Sequence, residues 1–242
     1  MIAARSVLFN LVFYLWTAVL GVIALPVLLA PRRCSMRLGR WWSGTVLALL
    51  KAIVGLDYEL RGKEHLCGGV AIIAMKHQSA WDTLAVPLLI DDAAVVTKRE
   101  LLWIPVYGWF VRRAGMIAID RGAGLKALRS MIAQARAVVA QGRPIVIFPE
   151  GTRTAVGHHR EFHPGVAALY RPLDLPVVPV AVNSGLFWSR RSFVKRPGRI
   201  IVEALPPLQP GLERKKFLAE LQKRVETATA RLVAEAGAPP AR

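Results

Sequence analysis

Cysteine and acidic residues are scarce in this sequence, and each shortage narrows its possible functions. There are two cysteines, Cys34 and Cys67, without CxxC spacing, so a disulfide framework is not indicated. We therefore expect a domain in a reducing, cytoplasmic compartment. Asp and Glu total 16 against 33 Lys and Arg, which gives a formal charge of +17. A protein of this charge attracts polyanions, which include nucleic acids, anionic lipid headgroups and phosphorylated substrates.

Charged residues are absent from one long stretch near the N-terminus, Val7 to Ala30. As a helix, this stretch is about 36 Å long, enough to cross a hydrocarbon core of about 30 Å. It ends in Ala30-Pro31-Arg32-Arg33, which is not a signal-peptide cleavage site, so we expect it in the mature protein. More arginines follow the stretch than precede it, which predicts that the bulk of the chain lies on the cytoplasmic side of the inner or plasma membrane. Arg5 precedes it, and Arg32, Arg33, Arg37 and Arg40 follow it.

A second apolar stretch, Trp41 to Leu56, contains Lys51 as its only charge. It can fold back on the first stretch to seat a helical hairpin in one leaflet, or the first stretch can span the bilayer alone; the sequence leaves both arrangements open. We expect residues 1–56 to be the membrane-embedded segment, 57–236 to be one catalytic domain, and the Pro- and Ala-rich 237–242 to be a frayed tail. The 242 residues suffice for one sizeable core.

Six short runs rich in β-branched residues follow Leu56 and alternate with helix-like stretches, which is typical of strands buried on both faces. Apolar residues recur at helical spacing from Leu125 to Val139 and again from Glu213 to Glu235. The pattern predicts an α/β fold with a mostly parallel or mixed central sheet flanked by helices. The predicted strands are Val70 to Met75, Ala93 to Thr97, Met116 to Ile119, Ile145 to Phe148, Val177 to Val182 and Arg199 to Glu203.

A histidine and an aspartate follow the first predicted strand, in the segment Lys76-His77-Gln78-Ser79-Ala80-Trp81-Asp82. Ser79 and Asp82 fit a helix capping box, and starting a helix is a sufficient role for both. That role does not account for His77, whose ring can fold back onto the Asp82 carboxylate from outside the helix. A histidine oriented by a carboxylate, with no serine or cysteine nucleophile paired to it, suits a general base acting on a substrate hydroxyl.

A second block, Phe148-Pro149-Glu150-Gly151-Thr152-Arg153, follows the fourth predicted strand. Ligands of open α/β sheets bind at the carboxyl ends of strands. Arg153 can bind a phosphate bidentately, Gly151 allows close backbone approach, and Glu150 can fix the arginine or accept from a hydroxyl. An ordinary turn with a Glu-Arg ion pair would explain this block on its own. Two further predicted strands also end in polar residues, at Asp120-Arg121 and at Asn183-Ser184-Gly185.

These four blocks, in this order, resemble the lysophosphatidic acid (1-acyl-sn-glycerol-3-phosphate) acyltransferase family, glycerolipid acyltransferases with an H-x4-D motif. The resemblance extends from about Tyr58 to Pro207. It implies transfer of a fatty acyl group from acyl-CoA or acyl-acyl carrier protein to the sn-2 hydroxyl of lysophosphatidic acid, which gives phosphatidic acid for phospholipid biosynthesis. It implies no cofactor and no metal. Lys76 stands where many members have asparagine and Ala118 where an aromatic is common, so another acceptor, such as a lyso-ornithine lipid, stays open.

The resemblance also implies a role for each candidate residue. His77 would be the base and Asp82 its orienting partner. Lys98 matches a family lysine that would stabilise the oxyanion or the phosphate. The expected partners are a bilayer with anionic headgroups, lysophosphatidic acid and the acyl donor, and not nucleic acid. Glycerol phosphate would be bound by Arg121, Glu150, Gly151, Thr152 and Arg153, and the acyl-donor side would be supported by Asn183, Ser184 and Gly185.

Three other interpretations of the sequence are weaker. His158, His159 and His163 lie in one loop without a nearby cysteine, so a solvated loop explains them better than a zinc site does. Basic and aromatic residues alternate from Trp188 to Arg199, which suits nucleic acid or an anionic bilayer, and the apolar N-terminus favours the bilayer. A membrane-bound thioesterase would use water in place of the acceptor, but it would have no phosphate for Arg153 to bind.

Overall fold

The computed structural model describes residues 1–66 and 69–237, so Cys67 and residues 238–242 of the predicted tail lie outside the described residues. In the described part, a seven-stranded sheet lies between two layers of helices. The strands are β1 (Leu56–Arg61), β2 (Ile72–Met75), β3 (Ala94–Lys98), β4 (Ile117–Ile119), β5 (Ile145–Ile147), β6 (Val177–Val182) and β7 (Gly198–Ala204). The helices are α1 (Ile2–Ile23), α2 (Arg32–Val54), α3 (Ala80–Leu89), α4 (Tyr107–Arg113), α5 (Gly124–Val139), α6 (Gly165–Leu173) and α7 (Arg214–Glu235).

The strand order is β1-β7-β6-β2-β5-β3-β4. Every pair from β6 to β4 is parallel, β7 runs antiparallel to β6, and β1 runs parallel to β7. The predicted α/β fold with a mostly parallel sheet is therefore confirmed. The carboxyl ends of β6, β2, β5, β3 and β4 meet at one border of the sheet, which we call the strand-end edge.

Alternate side chains of the central strands pack on opposite faces of the sheet. Ile73 and Met75 of β2 belong to a core with α1, α2 and α3, whereas Ile72 and Ala74 belong to a core with α5, α6 and α7. Because both faces are covered by helices, the central strands are apolar along their whole length. This explains why the sequence shows unbroken apolar runs and not alternating ones.

Helices α1 and α2 form an antiparallel hairpin. The indole nitrogen of Trp16 donates to Thr45 Oγ1 at 3.0 Å, and that of Trp42 donates to Thr17 Oγ1 at 3.1 Å. A 3-10 helix at Leu25–Leu29 reverses the chain between them. The two apolar stretches thus fold back on each other, and α2 begins at Arg32, earlier than the predicted second stretch.

The hairpin also supplies part of the domain core. Val46, Leu50 and Val54 of α2 and Phe9 of α1 are fully or almost fully buried in the first core. Each buried aliphatic or aromatic side chain of this size contributes about 1.5–3 kcal/mol to folding. The hairpin is thus a packed layer of the fold, and the predicted border between residues 56 and 57 falls after the first residue of β1.

Candidate active site

The histidine and aspartate of the first sequence block meet where β2 leads into α3. The predicted capping box is present: Ser79 Oγ accepts from Trp81 N at 3.2 Å, and Asp82 Oδ2 accepts from Ser79 N at 2.8 Å. The same Oδ2 atom accepts from Gln78 N at 2.7 Å and lies 2.9 Å from His77 Nδ1. The ring of His77 therefore does fold back onto Asp82, as the sequence predicted.

The surroundings of this pair orient the imidazole. Asp82 is completely buried, and a carboxylate can only accept, so the His77 tautomer that fits the contact is the one that donates from Nδ1. In that tautomer, Nε2 is the atom that can take a proton from a substrate. The ring also stacks on Phe148, with centroids 4.1 Å apart, which limits its rotation. A pre-oriented imidazole of this kind is suited to general-base chemistry.

The second sequence block holds the backbone of His77. Its N–H donates to Glu150 Oε1 at 3.3 Å, and its carbonyl accepts from Thr154 N at 2.7 Å. The structure thus brings the loop after β2 and the loop after β5 together at the strand-end edge. The position of the imidazole is therefore set by two loops, the one after β2 and the one after β5.

Glu150 is paired with Lys76 and not with Arg153. Both side chains are buried, with Lys76 Nζ 3.2 Å from Glu150 Oε1 and 2.5 Å from Glu226 Oε1 of α7. Burial raises the pKa of Glu150, and the charge of Lys76 opposes that rise. Lys76 therefore joins the histidine loop to the C-terminal helix.

The last sequence block supports the same loop. Ser184 Oγ donates to Asp82 Oδ1, and Gly185 N donates to Gln78 Oε1 at 3.0 Å. A side chain at position 185 would meet Gln78 Cβ at 3.1 Å and Val156 Cγ2 at 2.8 Å, so only glycine fits this approach. Asn183 accepts from Ile201 N at 2.8 Å and donates to the Leu232 carbonyl at 3.2 Å, which connects β7 to α7.

Comparison with known proteins identifies the family. The family model described as Acyltransferase matches residues 57–183, a range that contains the His77 and Glu150 segments and ends at Asn183. The chain belongs to the Acyltransferase family. A protein of Pseudomonas aeruginosa named 1-acyl-sn-glycerol-3-phosphate acyltransferase is 34% identical over 96% of this chain and 91% of its own length. The mouse 1-acyl-sn-glycerol-3-phosphate acyltransferase alpha is 32% identical over 83% of this chain and 71% of its own.

A solved structure shows the same fold for this acyltransferase chain. The crystal structure of the 1-acyl-sn-glycerophosphate (LPA) acyltransferase PlsC from Thermotoga maritima superposes with a TM-score of 0.79 at 21% identity. The superposition covers 97% of this chain and 98% of that one. The hairpin and the α/β domain therefore both have counterparts in a solved structure.

The remaining predicted cations of the acyltransferase site lie along the strand-end edge. Lys98 is exposed at the end of β3, and Arg121 follows β4. The Arg121 guanidinium donates to the Gly151 carbonyl, which ties the loop after β4 to the loop after β5. Thr152 and Arg153 are partly exposed. Within residues 1–66 and 69–237, Arg153 has neither an ion pair nor a hydrogen bond, so its guanidinium is available to an anion.

The loop histidines bind separate partners. His159 Nδ1 lies 3.2 Å from Glu226 Oε2, and His163 Nδ1 accepts from Gly165 N at 3.3 Å. In the part of the chain that the structure describes, no three His, Cys, Asp or Glu side chains are grouped as metal ligands.

Sequence reasoning missed three contributors to the site. Glu226, the stacking of Phe148 on His77 and the hydrogen bond from Ser184 to Asp82 all depend on contacts between distant parts of the chain. Glu226 lies on a regular amphipathic helix, where its carboxylate has no feature that distinguishes it from a solvated charge. Phe148 and Ser184 stand inside blocks that the sequence singled out, and only their partners were unknown.

Proposed function

We propose that this chain is a 1-acylglycerol-3-phosphate O-acyltransferase. It transfers a fatty acyl group from acyl-CoA or acyl-acyl carrier protein to the free sn-2 hydroxyl of lysophosphatidic acid, which gives phosphatidic acid. The observation that carries the proposal is the pairing of His77 Nδ1 with the buried Asp82 at 2.9 Å, at an edge that also presents Arg121 and Arg153. The names of the relatives from Pseudomonas aeruginosa and mouse support the same reaction.

The proposed chemistry is a direct transfer in which His77 moves one proton. Nε2 takes the proton of the acceptor hydroxyl as its oxygen attacks the thioester carbonyl. Asp82 stabilises the imidazolium that forms, and the proposed role of Lys98, exposed at the end of β3, is to stabilise the oxyanion of the tetrahedral intermediate. The carbon–sulfur bond then breaks, and the thiolate leaves with the proton that His77 returns. Every group in this scheme comes from the chain or the two substrates, so no cofactor enters it.

The acceptor phosphate is proposed to bind at the loops after β4 and β5. Arg153 offers a free guanidinium for a bidentate contact, and Arg121 holds the Gly151 carbonyl beside it. Glu150 is fully buried against Lys76, so its proposed contribution is to hold this loop against His77. A thioesterase would need no such phosphate site.

Membrane association follows from α1, which has 22 residues, a mean hydropathy of 2.0 and few buried side chains. We propose that the hairpin sits in one leaflet on the cytoplasmic side, because it contacts the domain both from α1 and at its turn: Phe9 of α1 packs on Trp188, and the carbonyl of Ala30, between the 3-10 helix and α2, accepts from Arg113. Two of the four arginines that follow the first apolar stretch have partners within the chain. Arg32 pairs with Asp92, and Arg40 donates to the Pro87 carbonyl at 2.9 Å.

The test is a defined acyl-transfer assay with the full chain in vesicles. Acyl-CoA or acyl-acyl carrier protein is supplied with lysophosphatidic acid, lysophosphatidylethanolamine or lyso-ornithine lipid, and the products are identified by mass spectrometry. We expect phosphatidic acid from wild type and at least about 10²-fold less from the His77→Ala variant. A product formed from lyso-ornithine lipid alone would reassign the acceptor, and release of free fatty acid without a lysolipid would indicate a thioesterase.

A further inference from the structure

Four large apolar side chains are exposed between β3 and β4, outside the proposed site and outside the hairpin. Trp103 is 68% exposed, Ile104 45%, Tyr107 46% and Trp109 48%. We call these four residues the aromatic ledge. Large apolar side chains concentrated on a protein surface mark a site of contact with a partner or a membrane.

The ledge is a folded segment and not a loose loop. Trp103 ends the 3-10 helix Arg99–Trp103, and Tyr107 and Trp109 lie in α4. Gly108 N donates to the Ile104 carbonyl at 2.8 Å, and a side chain at Gly108 would meet the Leu102 carbonyl oxygen at 2.3 Å. The backbone is tightly turned here, so the exposure of the indoles is built into the fold.

The ledge adjoins the membrane hairpin. Between Ile104 and Tyr107, the backbone of Val106 adopts a φ of +63°, a region that β-branched residues rarely occupy. Its side chain points at α1, where a Cβ added to Gly21 would lie 3.1 Å from Val106 Cγ1. Arg113, at the end of α4, donates to the carbonyl of Ala30 at the turn of the hairpin. The ledge and the exposed apolar face of α1 therefore belong to neighbouring elements.

We infer that the aromatic ledge is a second membrane-inserting element, seated in the same leaflet as the α1–α2 hairpin. Tryptophan and tyrosine are the residues that favour the boundary between headgroups and acyl chains. Arg112, exposed in the last turn of α4, places a cation beside the ledge that suits an anionic headgroup layer. A bilayer accounts for both the composition of the ledge and its position beside α1.

Insertion of the ledge would place the proposed active site at headgroup depth. The ledge begins five residues after Lys98, at the end of β3, and the Arg99 guanidinium lies 3.6 Å from Asp120 just after β4. The carboxyl ends of β3 and β4 are thus tied to the base of the ledge. The depth of the ledge in the leaflet fixes the distance of the strand-end edge from the lipid hydroxyl.

The first experiment measures lipid contact directly. Single cysteines carrying an NBD fluorophore are placed at 103, 109, 15 or 212 in a full chain with Cys34→Ser and Cys67→Ser, and the protein is reconstituted in phosphatidylethanolamine/phosphatidylglycerol vesicles. Leu15 is an exposed residue of α1, and Leu212 is an exposed residue before α7, on the opposite face of the sheet. We expect nitroxide lipids to quench 103 and 109 as they quench 15, with little effect at 212.

Unquenched fluorescence at 103 and 109 would overturn the inference. Labels that are shielded both from water and from nitroxide lipids would show that protein covers the ledge, such as a second copy of the chain. That result would equally overturn the inference. Comparable quenching at 103, 109 and 15 supports it.

The second experiment separates membrane docking from chemistry. In the double variant Trp103→Ser/Trp109→Ser, we expect KM for lysophosphatidic acid in vesicles to rise about tenfold, because the lost apolar contact weakens docking. Rates in detergent micelles should stay within about twofold of wild type, since no group of the proposed mechanism is removed. Leu212→Ser is the matched control and should change neither the KM in vesicles nor the rate in micelles. Equal losses in micelles and vesicles would assign the ledge to the fold and not to the bilayer.

Discussion

His77 is the side chain on which the proposed chemistry depends most directly. We expect His77→Ala to lower turnover by about 10²- to 10⁴-fold, because general-base catalysis contributes in that range. Binding of the variant to vesicles should not change, since the ring contacts Asp82 and Phe148 and not the hairpin. The measurement is the rate of phosphatidic acid formation, with exposed His158→Ala as the control. Turnover close to wild type in His77→Ala would rule out the mechanism.

The Asp82 carboxylate has a double role, because the oxygen that caps α3 also orients the imidazole. In Asp82→Asn the amide oxygen can replace Oδ2, but the amide nitrogen then faces Ser184 Oγ, which must accept instead of donate. We expect about a 10²-fold loss of turnover, together with a loss of about 1–3 kcal/mol in unfolding free energy.

Ser79→Ala separates the two roles of Asp82. It removes only the cap on Trp81 N, so stability should fall by about 1 kcal/mol while turnover stays near wild type. Turnover and thermal unfolding are measured for both variants. If Asp82→Asn resembled Ser79→Ala in both measurements, the aspartate would only cap the helix.

Arg153 is predicted to act through the acceptor phosphate. A charge-assisted hydrogen bond is worth about 1.5–3 kcal/mol, so Arg153→Ala should raise the acceptor KM by about 10- to 150-fold. The donor KM should stay constant. Arg160, an exposed arginine of the same loop region, gives the control Arg160→Ala. A rise in the donor KM in place of the acceptor KM would assign the loop after β5 to the other substrate.

Among the elements, the connection between β6 and β7 holds α1 through Lys195. Its ammonium donates to Asn10 Oδ1 and to the Phe193 carbonyl and lies 4.7 Å from the ring centroid of Trp188. Burial lowers the pKa of Lys195 from 10.5 to about 8. Between these values the unfolded chain binds more protons than the folded one, so stability contributed at this site rises with pH.

The pH dependence of this contact can be measured by difference. We expect the unfolding free energy of wild type, relative to Lys195→Met, to rise by up to about 3 kcal/mol between about pH 7.5 and pH 10. Unfolding of both proteins in the same detergent at the two pH values gives this difference. A difference that does not change with pH would show that Lys195 keeps its ordinary affinity for a proton.

The accuracy of the sequence prediction also varied with the element. Long runs with one clear period, such as β6 and α7, were located closely, because a buried strand and an amphipathic helix each leave a regular pattern. β1 was missed although Leu56, Tyr58 and Leu60 alternate with polar residues. α6 was missed because it has only nine residues and carries Pro172 next to its end. α4 is short and contains Gly108, so it carries no helical period.

Contacts in the candidate site also differ in how far the sequence predicts them. The approach of His77 to Asp82 was predictable because local capping geometry brings residues five apart together. The ion pairs of Lys76 with Glu150 and Glu226 were not, since they join residues 74 and 150 positions apart (150 − 76 and 226 − 76). Such pairs depend on the order of strands in the sheet, which no local pattern encodes.

At the scale of the whole molecule, two truncations separate the role of the hairpin in folding from its role in membrane binding. A chain that starts at Leu56 would lose Val46, Leu50 and Val54 from the core, at a cost of about 1.5–3 kcal/mol for each. We expect it not to fold. A chain that starts at Pro31 keeps α2 and should fold in detergent, but should bind vesicles weakly and in a salt-dependent manner.

These outcomes are checked by circular dichroism and by sedimentation with vesicles at low and high salt. The chain that starts at Pro31 should retain activity on micellar acceptor and lose most of its activity on vesicles. Full activity on vesicles without α1 would mean that the rest of the chain docks unaided.

The antiparallel course of α1 and α2 also bears on how the protein is made. In the proposed one-leaflet arrangement, both helices of the hairpin return to the side of the same domain, so none of the polar residues from Arg32 to Gly237 would have to cross the bilayer during biogenesis. The sheet could then assemble around Phe9 and α2 before the protein meets the membrane. Delivery would be adsorption of a folded enzyme from one side, without a protein-conducting channel.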